Sequence, residues 1–258
     1  MHGIFSFKAI YVIVLREFKR FFRQKGRVVV TLVRPLIWLF IVGSGFTRLV
    51  GSTDGTSYMQ FILPGIVGMT ILFSSVFSSI SVVWDREFGF LREMLVAPVS
   101  RVTIVFGKLI SGTLMSLFQG AAILVVAPFL GIEITPSGLI AMLALITLVS
   151  LAITAFGLFV ASFLTSLEGF NVIMNFIVLP MFFLSGALYP IEALPVVLRG
   201  ASYINPLCFG VDAFKHILLP ANSGRLAAEL PLALDVMFLL VFSAVFIFLC
   251  AFVFERRK

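Results

Sequence analysis

The sequence carries little charge for its length. Only 12% of the 258 residues are charged and 60% are hydrophobic, with a mean hydropathy of +1.15, whereas soluble domains carry about 25% charged residues. A chain so poor in charge cannot cover its apolar surface in water, which excludes a soluble globular protein. Apolar runs of about 20 residues favour helices over the alternating strands of about 10 residues that build a barrel. The chain is therefore predicted to be an all-α membrane protein.

Cysteine and histidine are equally scarce, with two residues of each. Cys208 and Cys250 are predicted on opposite sides of the membrane, so no disulfide is expected. His2 and His216 lie far apart, and no Cys/His cluster has metal-ligand spacing. The sequence also lacks a G-x-x-x-x-G-K-[ST] loop, which would cradle nucleotide phosphates. We therefore expect no metal and no bound cofactor, and any ATP hydrolysis is expected on another polypeptide.

Six apolar stretches are long enough to cross a membrane. Between the last two, Pro195 and Pro206 break shorter apolar stretches that are predicted to form re-entrant or interfacial helices. The prediction is a single domain over 1–258, made of an interfacial segment at 1–27, a bundle at 28–254 and a tail at 255–258. The predicted spans cover about 28–50, 58–83, 102–130, 139–164, 170–189 and 232–254.

Residues 5–27 have the pattern of a basic amphipathic helix. Apolar residues fall on one face and arginines on the other, which suits a helix lying in the membrane interface. Glu17 interrupts the apolar face, and it is expected either to pair with a nearby base or to face a protein partner. Nucleic acid is the other partner of such a basic stripe, and the apolar composition argues against it. Arg34, near the start of the first span, can reach back toward the inner headgroups.

The densest charged segment is WDREFGFLREMLVAPVSR at 84–101, between the second and third spans. Phe88, Leu91 and Leu95 recur at helical spacing. Asp85 is predicted to cap the start of this helix, and Pro98 to end it. The pattern therefore predicts a short amphipathic helix held between two spans, with a simple solvated connector as the alternative.

The distribution of basic residues predicts the orientation in the membrane. The N-terminal segment with Arg34, the 84–108 segment, the 165–169 hinge and the C-terminus together hold 15 of the 19 Lys and Arg residues but only 6 of the 12 acids. These segments are therefore predicted to be cytoplasmic, with both termini inside. The segment at 190–231 is then outside.

Three stretches resemble those of one transporter family. REFGFLREMLVAPVSR at 86–101 is similar to the cytoplasmic loop of type-2 ATP-binding-cassette (ABC) exporter permeases of the daunorubicin-resistance and nodulation-export kind. FLSGALYPIEALP at 183–195 and NPLCFGVDAFKHILL at 205–219 are similar to the segments that flank the outer end of span five and precede the last span. The order, spacing and six-span layout also match, so the resemblance covers nearly the whole chain.

The resemblance implies that the chain is the permease subunit of an exporter in a prokaryotic cytoplasmic (inner) membrane. Its partners would be two copies of an ABC ATPase, which bind ATP and Mg, and a second permease copy forming a homodimer in membrane lipid. The loop helix would be a coupling helix that docks on the ATPase, beside the N-terminal helix. The implied coupling residues are Glu17, Glu87, Phe88, Leu91, Arg92 and Glu93.

The resemblance also implies that spans two and five of two permease copies line the pathway and that the outer segment forms a gate. An apolar lining suggests an amphipathic substrate, either drug-like or linked to a lipid or glycan. The pathway candidates are Phe73, Ser74, Phe77, Ser78, Asn171, Asn175, Phe176 and Phe183. The gate candidates are Tyr189, Pro190, Pro195, Asn205 and Pro206.

Two other functions fit a membrane protein of this size. A self-sufficient secondary transporter or channel places ionisable groups inside the membrane, whereas the predicted spans are nearly free of charge. A membrane-embedded enzyme needs a carboxylate pair or a nucleophile and base at a membrane face. Asp85 with Glu87 is the only close acid pair in the sequence, and no metal-binding set accompanies it.

Overall fold

α-Helices make up almost all of the described chain. The computed structural model describes residues 6–50, 52–53, 56–89, 99–220 and 223–256. A two-residue hairpin, β1 (Ser52–Thr53) with β2 (Thr56–Ser57), is the exception among them. The helices are α1 (Phe7–Arg23), α2 (Lys25–Val50), α3 (Tyr58–Glu87), α4 (Arg101–Leu124), α5 (Pro136–Phe163), α6 (Leu167–Phe183), α7 (Val196–Ser202), α8 (Pro206–Leu218) and α9 (Leu232–Arg256), with 3-10 turns at Ala127–Leu130, Ile191–Ala193 and Gly224–Leu226.

Within the described residues, five helices are long and apolar enough to cross a membrane. They correspond to predicted spans one to four and six, whose existence is confirmed. Their bounds are Val28–Thr47, Tyr58–Glu87, Arg101–Leu130, Pro136–Phe163 and Leu232–Phe254.

The fifth predicted span is shorter than expected. The apolar run suggested a helix to residue 189, but α6 ends at Phe183 after 17 residues, which is about 25 Å of helix. Pro180 lies in its last turn, and Gly186 adopts a φ of +71° in the turn that follows. Glycine takes up this left-handed backbone without strain. The turn therefore ends the helix where the apolar pattern continues.

Polar side chains mark the helix starts. Ser57 accepts a hydrogen bond from Met59 N, and Gln60 Oε1 accepts one from Ser57 N, which together form a capping box for α3. Ser100 caps α4 and Ser166 caps α6 in the same way, through backbone N–H groups three residues ahead. These caps satisfy backbone donors that would otherwise remain unpaired.

α3 lies at the centre of the bundle. It packs against α2, α4, α5, α6 and α8, and 78% of the residues in its most apolar stretch of 18 are buried. Small residues let its neighbours approach closely, as is common in membrane helices. A Cβ placed on Gly157 of α5 would lie 2.5 Å from Ser79 Oγ, and one on Gly112 of α4 would lie 2.6 Å from Thr154 Cγ2.

The segment after α6 contains only short helices until α9 begins. The apolar stretch predicted at about 191–204 is a 3-10 turn followed by the seven-residue α7, and the stretch at about 207–219 is α8. Two short helical units in place of one span are therefore confirmed. α8 is almost entirely buried against α3, α5 and α9, so it forms part of the bundle core.

Candidate functional site

Four charged side chains meet where α1 packs beside the end of α3 and the first turns of α4. Lys108 Nζ lies 2.7 Å from Glu17 Oε1 and 3.0 Å from Ser81 Oγ, and it also donates to Asp85 Oδ2. Arg16 Nη2 donates to Glu17 at 2.6 Å and to Asp85 at 2.8 Å. We call Arg16, Glu17, Asp85 and Lys108 the α1 ion cluster. Its two cations and two carboxylates balance, and Arg20 Nη1 lies farther away, 4.0 Å from Asp85 Oδ1.

The cluster is largely closed to solvent. The side chains of Lys108, Glu17 and Asp85 are 3%, 6% and 7% exposed. Burial opposes the ionisation of Glu17, but the charge of Lys108 and hydrogen bonds from Lys108 and Arg16 outweigh it, so the pKa of Glu17 falls below its usual value of 4.5. The α1 helix is thus attached to α3 and α4 by ionised groups.

These contacts bear on three predictions from the sequence. Asp85 does not cap a separate helix, because α3 continues through Glu87 and Asp85 is buried in its last turns. Glu17 takes the first of its two alternatives and pairs with nearby bases of its own chain. Lys108 is an exception to the prediction of nearly charge-free spans, because it is buried inside α4. Its partners come from helices distant in sequence, so no local pattern indicated them.

Hydrogen bonds join the end of α3 to the turn between α5 and α6. Arg86 Nη1 donates to Ser162 O at 3.0 Å and to Leu164 O at 2.6 Å. Glu87 Oε2 accepts a hydrogen bond from Leu167 N at 2.8 Å, where its negative charge also suits the positive end of the α6 dipole. The charged motif therefore contacts the start of α6 directly.

The remaining predicted coupling residues differ in position. Phe88 is 66% exposed, with its ring 4.7 Å from that of Trp84. Leu91, Arg92 and Glu93 lie outside the described residues. Exposed Phe88 and Glu87 thus stand at the point where the chain enters the predicted coupling helix.

Two cavities lie side by side around the outer face of α3. The larger, of about 470 Å³, is enclosed by α2, α3 and the start of α6, and the smaller, of about 190 Å³, by α1, α2, α3 and α4. Both are lined by Thr31, Phe77, Ile80 and Trp84. Of the pathway candidates, Phe73, Phe77 and Asn171 line the larger cavity, and Ser74, Phe77 and Ser78 line the smaller one.

The other pathway candidates lie on the surface of α6. Asn175, Phe176 and Phe183 are exposed, with Phe176 at 84%, and they are not among the residues that line these two cavities. Neighbouring serines of α3 make structural contacts instead: Ser75 Oγ bonds to Ser116 Oγ of α4 at 2.9 Å, and Ser79 Oγ donates to Ser75 O of its own helix at 2.9 Å.

The predicted gate residues gather around the end of α6. Tyr189 Oη donates to Phe183 O at 2.7 Å, and Asn205 Nδ2 donates to Met181 O at 2.7 Å. These bonds satisfy carbonyl groups in the last turn of the helix. Asn205 also caps α8, whose first residue is Pro206, while Pro190 and Pro195 precede the two short helical turns.

A second charged group joins α8 to the start of α9. Asp212 accepts hydrogen bonds from Glu229 N and Leu230 N and lies 3.7 Å from Lys215 Nζ. His216 Nε2 lies 3.9 Å from Asp235 Oδ2. Among the described residues, neither carboxylate oxygen of the fully buried Asp235 has a hydrogen-bond partner. We call Asp212, Lys215, His216 and Asp235 the α8–α9 cluster.

The two clusters stand at opposite ends of the bundle. Lys108 lines a small cavity with Cys250 and Phe254, near the end of α9. Asp235 lies 15 residues before Cys250 on the same helix, or about 22 Å along its axis.

The sequence predicts no metal site, but three side chains of the α8–α9 cluster bring possible metal ligands together. Ligand atoms of Asp212, His216 and Asp235 lie within 4.8 Å of one another and could hold a metal ion. His216 Nε2 is already hydrogen-bonded to Leu230 O at 2.8 Å, and Lys215 lies beside Asp212. The spacing of Asp212, Lys215 and His216 along one helix was visible in the sequence, whereas Asp235 comes from the next helix.

Comparison with known proteins agrees with this arrangement. Residues 8–219 match the family model described as ABC-2 type transporter. Nodulation protein J of Rhizobium leguminosarum bv. trifolii is 32% identical over 190 residues, covering 73% of this chain and 72% of that protein. Inner membrane transport permease YadH of Escherichia coli is 26% identical over 259 residues, covering 98% of this chain and 96% of that protein. The chain therefore belongs to the ABC-2 type transporter family, as the membrane permease subunit of a transporter.

Proposed function

We propose that this permease exports an amphipathic, drug-like or lipid-linked substrate and that a separate ABC ATPase subunit hydrolyses the ATP. The observation that carries the proposal is the hydrogen bond from Leu167 N to Glu87 Oε2. It joins the start of the predicted coupling helix to α6, which is predicted to line the pathway. Movement imposed on the coupling helix by an ATPase would therefore pull on α6.

The α1 ion cluster supports the same mechanism. It fixes α1 to α3 and α4 immediately before the coupling segment leaves α3. An ATPase that contacts both α1 and the coupling helix would then meet one rigid surface. Apolar coupling contacts such as exposed Phe88 would fill a pocket of the partner, and the charged residues would set orientation and partner choice.

A homodimer of the permease with two ATPase copies is the assembly that we propose. Asn171 and Asn175 are exposed one turn apart on α6, beside apolar Val172 and Phe176. Amides facing lipid are unfavourable, and hydrogen bonding to an adjacent helix relieves that cost. A second permease copy facing α6 supplies such a helix.

The orientation and the sixth span also belong to this proposal. With both termini in the cytoplasm, α1 and the coupling segment face the ATPase in a prokaryotic inner membrane. α6, the predicted fifth span, crosses the membrane as a short helix and brings the number of spans to six. The turns and helices from Ile191 to Leu218 form the outer, partly re-entrant gate.

Co-purification tests the coupling. The permease is expressed with the ATPase encoded beside it, purified through a tag on the permease, and assayed for ATP turnover in lipid. Glu87→Arg should abolish the turnover or the complex while the permease remains folded. Glu133→Arg is the matched control, because Glu133 is an exposed acid in the loop between α4 and α5, away from the coupling segment. Normal turnover in Glu87→Arg would contradict the coupling role.

A self-sufficient secondary transporter is the second candidate, and the α8–α9 cluster is the observation that favours it. Buried Asp235, with both carboxylate oxygens unpartnered among the described residues, is the kind of group that carries ions in such transporters. A well-folded permease that retains no ATPase and shows flux driven by an ion gradient would establish this function.

A further inference from the structure

The larger cavity combines an apolar wall with a basic side chain inside a membrane-spanning helix. Phe73, Phe77, Ile80 and Trp84 of α3 form one wall, and α2 contributes Arg34. Its volume of about 470 Å³ lies within the range of small-molecule sites. The described residues that line it include no acid. The cavity therefore presents a positive charge against aromatic rings.

Arg34 has no acidic partner to balance it among the described residues. It lies within the candidate span Val28–Thr47, and none of the described acids forms an ion pair with it. Its guanidinium carbon lies 6.0 Å from the centre of the Phe73 ring, a cation–π contact. An arginine in a membrane span is costly and marks a ligand or a path when its partner is not part of the chain. An anion is the ligand that this position lacks.

The smaller cavity adds a second basic group and a buried acceptor. Arg20 lines it, with its guanidinium carbon 5.1 Å from the Trp84 ring and its Nη1 4.0 Å from Asp85 Oδ1. Glu17 lines it too and is paired with Lys108 in the α1 ion cluster. Gln119 lines it as well and is 1% exposed. Gln119 Nε2 donates to Ser74 Oγ at 2.8 Å, but Gln119 Oε1 has no hydrogen-bond partner among the described residues. A buried acceptor without a partner calls for a donor from a bound molecule.

We propose that the two cavities together bind an amphipathic anion. Its apolar part packs on Phe73 and Phe77, and its phosphate or carboxylate group lies beside Arg34 and Arg20. A hydroxyl or N–H group of its polar head donates to Gln119 Oε1. As the substrate class of the exporter, this inference rests on the proposed function, but binding itself requires neither an ATPase nor nucleotide.

Trp84 is a natural reporter, because it lines both cavities and only two tryptophans occur in the chain. The full-length Trp38→Phe permease is placed in phosphatidylcholine vesicles, where Trp84 is its sole fluorophore of this type. Dibrominated phosphatidylglycerol or dibrominated phosphatidylcholine then replaces part of the lipid, and quenching of Trp84 measures contact. A Trp84→Phe variant verifies the source of the signal.

We expect the anionic lipid to be favoured about fivefold over the zwitterionic one, the ratio that corresponds to about 1 kcal/mol for one basic residue. Arg34→Ala should remove most of this preference, and Arg34→Lys should retain it. Arg23→Ala is the matched control, because Arg23 is an exposed arginine of α1 that does not line either cavity.

Equal quenching by both lipids, or an unchanged preference in Arg34→Ala, would overturn the proposal. Inorganic phosphate separates a lipid headgroup from a free anion. If millimolar phosphate alone displaces the brominated phosphatidylglycerol, the amphipathic part of the proposal is wrong. Failure of this assay would leave the co-purification result standing, and failure to retain an ATPase would leave this assay standing, so the two proposals fail separately.

Discussion

The two buried charge clusters of this permease are satisfied in opposite ways. In the α1 ion cluster, Lys108 contacts Glu17 and Asp85, and Arg16 contacts the same two acids, so charges and hydrogen bonds balance. In the α8–α9 cluster, fully buried Asp235 has only the distant His216 as an ion-pair partner among the described residues. One end of the bundle therefore pairs its charges, whereas the other holds a buried carboxyl group that lacks hydrogen-bond partners among the described residues.

This difference indicates how each end responds to change. Removing one member of a balanced buried group leaves its partners charged and uncompensated, which is strongly unfavourable. Replacing a buried carboxyl group that has no hydrogen-bond partners breaks no hydrogen bond and reduces its desolvation cost. We therefore expect the α1 ion cluster to act as a rigid joint beside the coupling segment. The α8–α9 cluster is expected to tolerate, or to gain stability from, replacement of its unpartnered carboxyl group.

The largest expected effect comes from Lys108→Met. The substitution leaves the buried carboxylates of Glu17 and Asp85 without their buried cation, with Arg16 and the more distant Arg20 remaining, and we expect it to destabilise the fold by about 3–5 kcal/mol. Thermal unfolding of the purified permease in detergent measures the loss. Lys19→Met is the control, because Lys19 is exposed on α1. Equal unfolding temperatures for the two variants would contradict a balanced cluster.

The two acids should respond with opposite signs. Glu17→Gln removes the acceptor of two charged hydrogen bonds, and a loss of about 1.5–3 kcal/mol is expected. Asp235→Asn replaces a carboxyl group that has no hydrogen-bond partners among the described residues, so the fold should be unchanged or stabilised by about 1 kcal/mol. The same unfolding assay compares them. If Asp235→Asn lowers the unfolding temperature as much as Glu17→Gln does, the proposed difference between the two clusters is wrong.

Acid pH should weaken the α1 ion cluster. Because the pKa of Glu17 in the fold lies below its usual value of 4.5, folding favours its ionised form. This stabilisation is present above about pH 4.5 and is lost as the pH falls through the lowered pKa. Unfolding temperatures of the parent and Glu17→Gln should therefore converge as the pH falls below 4.5. A constant difference down to low pH would contradict the assignment.

The smallest effect is expected near the α8–α9 cluster, from Glu229. Burial raises the pKa of this half-buried acid, although the hydrogen bond from Ile191 N opposes the rise. Folding therefore favours its protonated form, and this contribution is present below about pH 4.5 and is lost as the pH rises through the raised pKa. Glu229→Gln should weaken this dependence of the unfolding temperature on pH. A dependence of the same sign as that of Glu17 would contradict this prediction.

Much of the fold follows from local sequence. The apolar runs gave five spans close to their observed bounds, and the two short helical units after α6 follow from Pro195 and Pro206. The fifth span was predicted too long because its apolar run continues past Phe183. The turn there depends on Pro180 and on the backbone of Gly186, which hydropathy does not register.

The candidate site was predicted only in part. Glu87 was identified from its motif, but its bond to Leu167 N required the end of α3 and the start of α6 to meet across 80 positions of sequence. Phe73, Phe77 and Asn171 were selected as pathway residues and line one cavity together. Gln119 was noted only as a polar residue of the third span, and its unpartnered oxygen depends on what surrounds it.

The sequence by itself determined that this chain lies in a membrane, where five candidate spans run, and which family it resembles, because hydropathy and motifs are local properties. The tertiary structure alone decided which charges meet. The buried charge of Lys108 is tolerated because other helices, α1 and α3, bring it acidic partners. Such pairing is a property of packing, and a linear pattern of residues does not contain it.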